Sequence, residues 1–409
     1  MLDTLIFDPS ACGFPKPRVP LLPTGLAGLS FQTPAPWAPA GHFRHFARGR
    51  YALREAYRLA GVGPGGTLLA PAYHCRTMLD PALALGGDVV LYPLRADLSP
   101  DRAALDALAD HSPTPVKALL ATHFFGIPQA LEQLAAWCAE RGITLVEDCS
   151  HALFSEHCCP PGMGRCGEFV VSSPYKFLPS PDGGLLYARE AGRLNKLRTH
   201  PPTWTAELRG LAYTWSKAAE HRRSRTACDA RYIDAELAAI VEHLTPAARD
   251  FCEPAGCSAD YRPDEDECAA LRLSRTICRH PDSAAIARRR RENYLRWMQA
   301  TANLQHCRPL FPELPAACIP YMFPLLLEHP EPHFHRLKHL GVPIWRWDSL
   351  VASACQTANN YRLHLLHLPC HQSLSDGELD WMIAAVLKVG AGETAEGLDR
   401  RYYTNRIEV

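Results

Sequence analysis

A lysine and an aspartate each stand just past an apolar run. The first run is Glu168-Phe-Val-Val-Ser-Ser-Pro-Tyr-Lys176, followed by Pro181-Asp-Gly-Gly184; the second is Ile143-Thr-Leu-Val-Glu-Asp148, with His151 three residues on. A lysine amine can condense with an aldehyde as a Schiff base, and a carboxylate can keep a pyridine nitrogen protonated. Those are the two functions an enzyme needs to hold pyridoxal 5'-phosphate. Either residue alone has an ordinary reading, a solvated loop lysine or an aspartate capping the next helix. Together and in this order they point to a cofactor site.

The elements around them have the pattern of a parallel sheet. Arg50 to Ala60 has helical spacing and stops at Gly61-Val-Gly-Pro-Gly-Gly66. Thr67–Pro71, Asp88–Tyr92 and Val116–Thr122 are strand-like, Gln129–Arg141 is helix-like and ends at Gly142, and Ile143–Val146 is again a strand. Strand, helix and strand joined by short loops make a parallel sheet covered by helices. Ligands in such sheets bind beyond the carboxyl ends of the strands, where His123, Asp148 and Lys176 all fall.

The division expected is an extended, proline-rich arm over 1–40, a large α/β domain over 41–285 and a smaller α+β domain over 286–409. In the last, Ala284–Ala300 and Glu331–Leu340 read as helices and Tyr321–Leu327 as a strand. Ser375 and Glu378 are spaced as a capping box on a closing helix.

The 409 residues carry 43 Lys plus Arg against 43 Asp plus Glu, so no net charge argues for nucleic acid or an anionic membrane. Apolar stretches are too short to span a bilayer. The amino terminus lacks the basic-then-apolar order of a secretory signal, which gives a cytoplasmic expectation. The sixteen cysteines are scattered without a paired knuckle, so reduced thiols and no metal are expected, including for Cys149, His157, Cys158, Cys159 and Cys166.

Six segments in this order, ARGRYAL (47–53), PAYHC (71–75), HFFGIPQ (123–129), VEDCSHA (146–152), SSPYKFLPSPDGG (172–184) and LPCHQSL (368–374), resemble the DegT/DnrJ/EryC1/StrS aminotransferases. The resemblance covers about 45–190 well and 285–390 more loosely. It implies the pyridoxal-phosphate transferase fold type I, with Lys176 as the Schiff-base lysine and Asp148 as partner of the pyridine nitrogen. His151 then lies beside the cofactor's phenolic oxygen. Gly49 and Arg50 stand at the turn whose backbone N–H groups hold the phosphate, a role resting on the helix start rather than on a side chain. Ser173 fits a hydroxyl donor to the same phosphate.

The family's ring-stacking aromatic falls on Cys75, so Tyr73 or His74 takes that part, with His74 preferred. His371 is implied on the substrate side, and the run Arg288–Arg291 reads mainly as a solvated helix face with one arginine reaching a substrate phosphate. The implied reaction moves an amino group from an amino acid, glutamate, to a nucleotide-linked keto-sugar in a homodimer. The alternatives are a regulatory or scaffold protein that keeps the fold, and an enzyme with a non-sugar acceptor.

Overall fold

The computed structural model describes residues 3–7, 12–39, 41–224, 227–241, 251–254 and 256–391. After a short strand, β1 (Asp3–Ile6), the chain builds one sheet from β2 (Phe43–Phe46), β3 (Thr67–Pro71), β4 (Asp88–Tyr92), β5 (Val116–Thr122), β6 (Thr144–Asp148), β7 (Phe169–Ser172) and β8 (Gly184–Ala188). Its order is β2-β8-β7-β6-β5-β3-β4. Strands β4, β3, β5, β6 and β7 are parallel, and β8 runs against both its neighbours. The covering helices are α1 (Gly49–Ala60), α2 (Arg76–Ala84), α3 (Arg102–Asp110) and α4 (Glu132–Glu140).

Every residue of β3 and β7 is buried, which is why these strands read as unbroken apolar runs rather than alternating ones. Helix α1 buries Tyr51, Ala52, Leu53, Ala56 and Tyr57 and stops at Gly61. There φ is 89°, and the glycine N–H reaches back to the Arg58 and Tyr57 carbonyls. A side chain would resist that left-handed turn, so the breaker cluster ends the helix where the sequence places it. Asp148, last in β6, pairs in register with Val171 of β7, five residues before Lys176. The two candidate residues therefore leave neighbouring strands at the same edge.

Beyond β8 come α5 (Trp204–Ser224), α6 (Ile233–Val241), β9 (Phe251–Pro254), α7 (Arg272–Arg279) and α8 (Ser283–Thr301). They are followed by β10 (Cys307–Pro309), β11 (Met322–Leu327), α9 (Pro330–His339), β12 (Leu350–Val351), α10 (Gln356–His364), β13 (Leu365–Pro369) and α11 (Asp376–Ala391). Strands β10-β11-β13 form an antiparallel sheet with its own core, in which Trp297 of α8 stacks on Phe323 and Trp381 of α11 is buried. Each such aromatic withdraws about 150–250 Å² from water, so α8 and α11 are held mainly by this face. The capping box forms: Ser375 N–H donates to Glu378 Oε2 at 2.8 Å and Glu378 N–H to Ser375 Oγ at 3.3 Å.

The amino-terminal segment differs from an extended surface arm. Strand β1 lies between β12 and β9 in a third sheet, and Phe7 and Val19 are buried. Their partners lie more than two hundred residues away, so no local periodicity announces the pairing. Parts of the three expected segments lie outside the described residues: 1–2, 8–11 and 40 of the arm, 225–226, 242–250 and 255 of the large domain, and 392–409 of the smaller one. Every cysteine is a free thiol. Among the described residues no helix is long and apolar enough to cross a membrane.

Candidate functional site

Asp148 is completely buried at the end of β6. Its Oδ1 accepts the Ser150 N–H at 2.8 Å, while Oδ2 has no hydrogen-bond partner among the described residues. A buried carboxylate oxygen left without a donor is costly, and it fits a charged N–H supplied by a bound group. The preceding residue, Glu147, has the opposite situation. Its oxygens accept the N–H groups of Gly164, Cys166 and Gly167 and face His123 Nε2 at 2.8 Å. Burial alone would raise the Glu147 carboxyl, but His123 and these amides hold it below the usual range. Glu147, His123 and the nearby Cys149 thiol could in principle share a metal ion, yet the carboxylate is already saturated by loop amides. We read them as the anchor that pins the 155–167 loop beside Asp148.

Lys176 ends a single 3₁₀ turn, Pro174–Lys176, directly after β7. Its Nζ lies 5.4 Å from the ring centroid of Tyr321, and Tyr321 in turn stacks on His151 at 4.4 Å with the planes 25° apart. Phe125 N–H donates to His151 Nδ1 at 3.2 Å, so the imidazole is held as the neutral form with its proton on Nε2. Burial first, and the Lys176 charge second, push the His151 pKa well down.

Ser173 Oγ meets Ser150 Oγ at 3.2 Å. A Cβ on Gly49 would collide with that Ser173 hydroxyl, and one on Gly184 would collide with the Arg48 carbonyl and the Gly49 nitrogen. The start of α1 therefore approaches the serine as closely as glycine allows. Its N-cap, Arg48, makes no side-chain capping bond, and no acidic residue occupies the first turn. The Arg50 side chain turns away to the Asp260 carbonyl, which leaves this residue only its backbone at the helix start.

Lys176, Asp148, His151, Ser173 and Gly49 are thus gathered at one edge of the sheet. Two other expected residues are placed differently. His74 is buried, with Nε2 accepting the Val351 N–H of β12 at 3.3 Å, and burial lowers its pKa to about 4. The ring facing His151 and Lys176 belongs to Tyr321 of the carboxyl-terminal region, not to His74. His371 is also buried, its Nε2–H donating to the Pro20 carbonyl at 2.9 Å, so it fastens the amino-terminal segment.

The four arginines of α8 diverge. Arg288 is exposed near Glu292, Arg289 pairs with Asp376, Arg290 is buried, and Arg291 bonds the Pro315 and Cys318 carbonyls. Their uneven burial corrects the reading of a solvated face, because one of the four points straight into the core.

Three residues to which the sequence reading assigned no site role close the site. Tyr321, Trp347 and His367 pack on Phe125, Tyr73 and His151, and the Tyr73 hydroxyl lies 3.0 Å from His367 Nε2. A cavity of about 590 Å³ opens beside the lysine's turn. Arg48 and Tyr175, the neighbours of Gly49 and Lys176, line it with Lys16, Lys217, Tyr213 and His221. Only adjacency to the motifs signalled Arg48 and Tyr175; nothing local signalled the others.

Residues 40–200 match the DegT/DnrJ/EryC1/StrS aminotransferase family. The chain is 28% identical over 153 residues to the 3-amino-5-hydroxybenzoate synthase of Amycolatopsis mediterranei, covering 37% of each chain. It is 27% identical over 161 residues to the UDP-N-acetyl-3-dehydro-alpha-D-glucosamine 3-aminotransferase of Acidithiobacillus ferrooxidans, covering 37% of this chain and 41% of that one. The matches therefore span well under half the length of these relatives. The fold extends further: the aminotransferase TlmJ from Streptoalloteichus hindustanus superposes with a TM-score of 0.57 at 20% identity over 87% of both chains. The architecture is the pyridoxal-phosphate transferase fold type I.

The residues fit that family's cofactor. The unpartnered Asp148 oxygen suits a protonated ring nitrogen, and the crowded Gly49–Ser173 approach at a helix start suits a phosphate. Lys176 would supply the amine.

Proposed function

We propose that the protein is a pyridoxal-phosphate-dependent aminotransferase that moves an amino group from an amino acid, glutamate, to a keto-sugar carried on a nucleotide. The single observation carrying this reading is the buried, half-unpartnered Asp148 carboxylate on the strand beside Lys176. When bound, the cofactor supplies an electron sink for the donor's α-carbon.

The chain's residues divide the remaining work. Asp148 would pair with the ring nitrogen and keep it protonated. Lys176 would hold the cofactor's aldehyde end and would move a proton at the donor's α-carbon. Neutral His151 offers its Nε2 proton toward the site without adding charge. Tyr321, Trp347 and Phe125 exclude water, which strengthens the Asp148 interaction.

The acceptor fits the 590 Å³ cavity, whose size is that of a small-molecule site. Its cations Lys16, Arg48 and Lys217 suit diphosphate oxygens, and Tyr175 and Tyr213 offer faces to a base. The names of two relatives, a 3-amino-5-hydroxybenzoate synthase and an aminotransferase of a UDP-linked 3-dehydro sugar, support a cyclic keto acceptor.

The acting form is a homodimer. Helix α5, which borders the cavity, exposes Trp204, Leu208, Leu211 and Trp215 by 78%, 63%, 55% and 73%, and their spacing makes one apolar stripe.

Asp148→Asn keeps the shape of the side chain and removes the charge. The glutamate half-reaction should slow by about two to three decades. Loading with the amine form of the cofactor and offering a panel of acceptors then tests the substrate. Turnover with 2-oxo acids alone, and with no nucleotide-linked keto-sugar, would contradict the acceptor assignment.

A further inference from the structure

Arg290 of α8 is an unusual buried cation. It is 0% exposed, and all its hydrogen bonds run to neutral oxygens. Nε donates to Gln372 Oε1 at 2.9 Å, Nη1 to the Pro320 and Tyr321 carbonyls at 3.1 and 2.9 Å, and Nη2 to the Lys176 carbonyl at 3.1 Å. The guanidinium also lies 4.2 Å from the Phe177 ring centroid. Among the described residues no carboxylate forms an ion pair with it. Burial lowers its pKa to about 10. A guanidinium taken out of water without a counter-charge is a costly way to fill a core. A methionine would fill the space without the desolvation.

What the arginine provides is connection. It holds the carbonyl of Lys176, and Gln372, which it orients, donates to the next carbonyl, Phe177, at 2.7 Å. The two peptide units leaving the lysine's turn are thus tied to the carboxyl-terminal region. The same guanidinium holds the backbone of Tyr321, whose ring faces the lysine amine and stacks on His151. One planar fork therefore grips both sides of the gap. A lysine in its place has a single nitrogen and cannot reach these four oxygens at once.

We propose that Arg290 is a positioning residue that fixes Lys176 relative to the Tyr321–His151 face, so that the amine stays aimed past the end of β6. The inference rests on the reading of Lys176 as the amine that binds the cofactor aldehyde. Its consequence is specific. Proton transfer by Lys176 requires accurate placement, whereas donor affinity depends on other groups, so a loosened lysine lowers the chemical rate and leaves donor binding unchanged. The pH at which the lysine-bound cofactor changes its visible absorbance also moves, because that midpoint depends on the amine's surroundings.

The test uses full-length protein with cofactor, comparing the parent with Arg290→Lys and Gln372→Leu. Circular dichroism checks the fold, a pH series follows the visible band, and stopped-flow measures the glutamate half-reaction. In Arg290→Lys the rate should fall by about 10–100-fold at unchanged donor affinity. The band's midpoint should shift by about half a pH unit or more. Gln372→Leu should move both in the same direction and by less. A folded Arg290→Lys with rate and midpoint within about two-fold and about 0.2 units of the parent, on the order of assay error, overturns the proposal. If Arg290→Lys does not fold, Gln372→Leu decides the matter, and unchanged values there overturn it equally. A parent without the band overturns the functional reading itself; a parent with the band and unchanged variants removes only the positioning role.

Discussion

His151 and Tyr321 stand face to face, ring centroids 4.4 Å apart, although 170 residues separate them in the chain. The contact joins the loop after β6 to the segment entering β11, and Lys176 lies at its edge. It is where the parallel sheet and the carboxyl-terminal region share the site.

Replacing Tyr321 by leucine keeps an apolar side chain and removes the flat ring. The lysine amine then loses the face it lies beside, a contact worth about 0.5–2 kcal/mol when desolvated. We expect a folded protein with the glutamate half-reaction slowed about tenfold. Tyr321→Phe, which keeps the ring, should react within about threefold of the parent. Equal rates for the leucine variant and the parent would show that the stack is only packing.

Several buried histidines give a defined pH dependence. Burial lowers the pKa of His74 and His333 to about 4 and of His367 and His371 to about 3, and puts His151 well below its ordinary value. In the unfolded chain each takes a proton near pH 6.5, while in the fold it stays neutral to much lower pH. Acid therefore favours the unfolded state. The stabilisation is complete above pH 6.5 and is lost as pH falls, at about 1.4 kcal/mol per unit for each histidine. Glu378, held down at about 2 by its His221 partner and the Ser375 cap despite burial, adds loss of the same sign below the carboxylate range. Thermal midpoints measured from pH 7.5 to 5 should drop steeply before carboxylates titrate. A flat profile over that window would mean that these rings are hydrated.

Much of the frame was legible because its causes are local. Strands β3, β4 and β5 begin and end where their apolar runs do, and β3, buried along its whole length, needs no partner information to be recognised. Helix α1 stops at Gly61 because the backbone there turns left-handed. Lys176 and Asp148 were legible as candidates for the same reason, each lying just past or at the end of a strand. The covering aromatics were not: Tyr321, Trp347 and His367 come from three separate loops or strands, and their neighbours in sequence say nothing about where they meet. Arg290 was hidden among four arginines, because only the register of α8 decides which one turns inward. Helix α5 was illegible because its apolar stripe faces outward while His221 and Gly210 face in, the reverse of the usual pattern.

That inverted helix carries a prediction of its own. If a second copy covers Trp204, Leu208, Leu211 and Trp215, Leu211→Glu buries a charge in the interface and splits the assembly. Sedimentation should show the parent at twice the 45.3 kDa chain mass and the variant at the single mass. A parent that sediments as one chain would refute the dimer.

The central claim is that Lys176 carries the cofactor, and borohydride reduction followed by peptide mapping tests it directly. The parent should gain one reduced cofactor on the peptide containing Lys176, with loss of the visible band. Lys176→Ala should remain folded and unlabelled there, because no other lysine lies between β6 and the end of β8. Labelling confined to another lysine, or equal labelling of the Ala variant, would contradict the account.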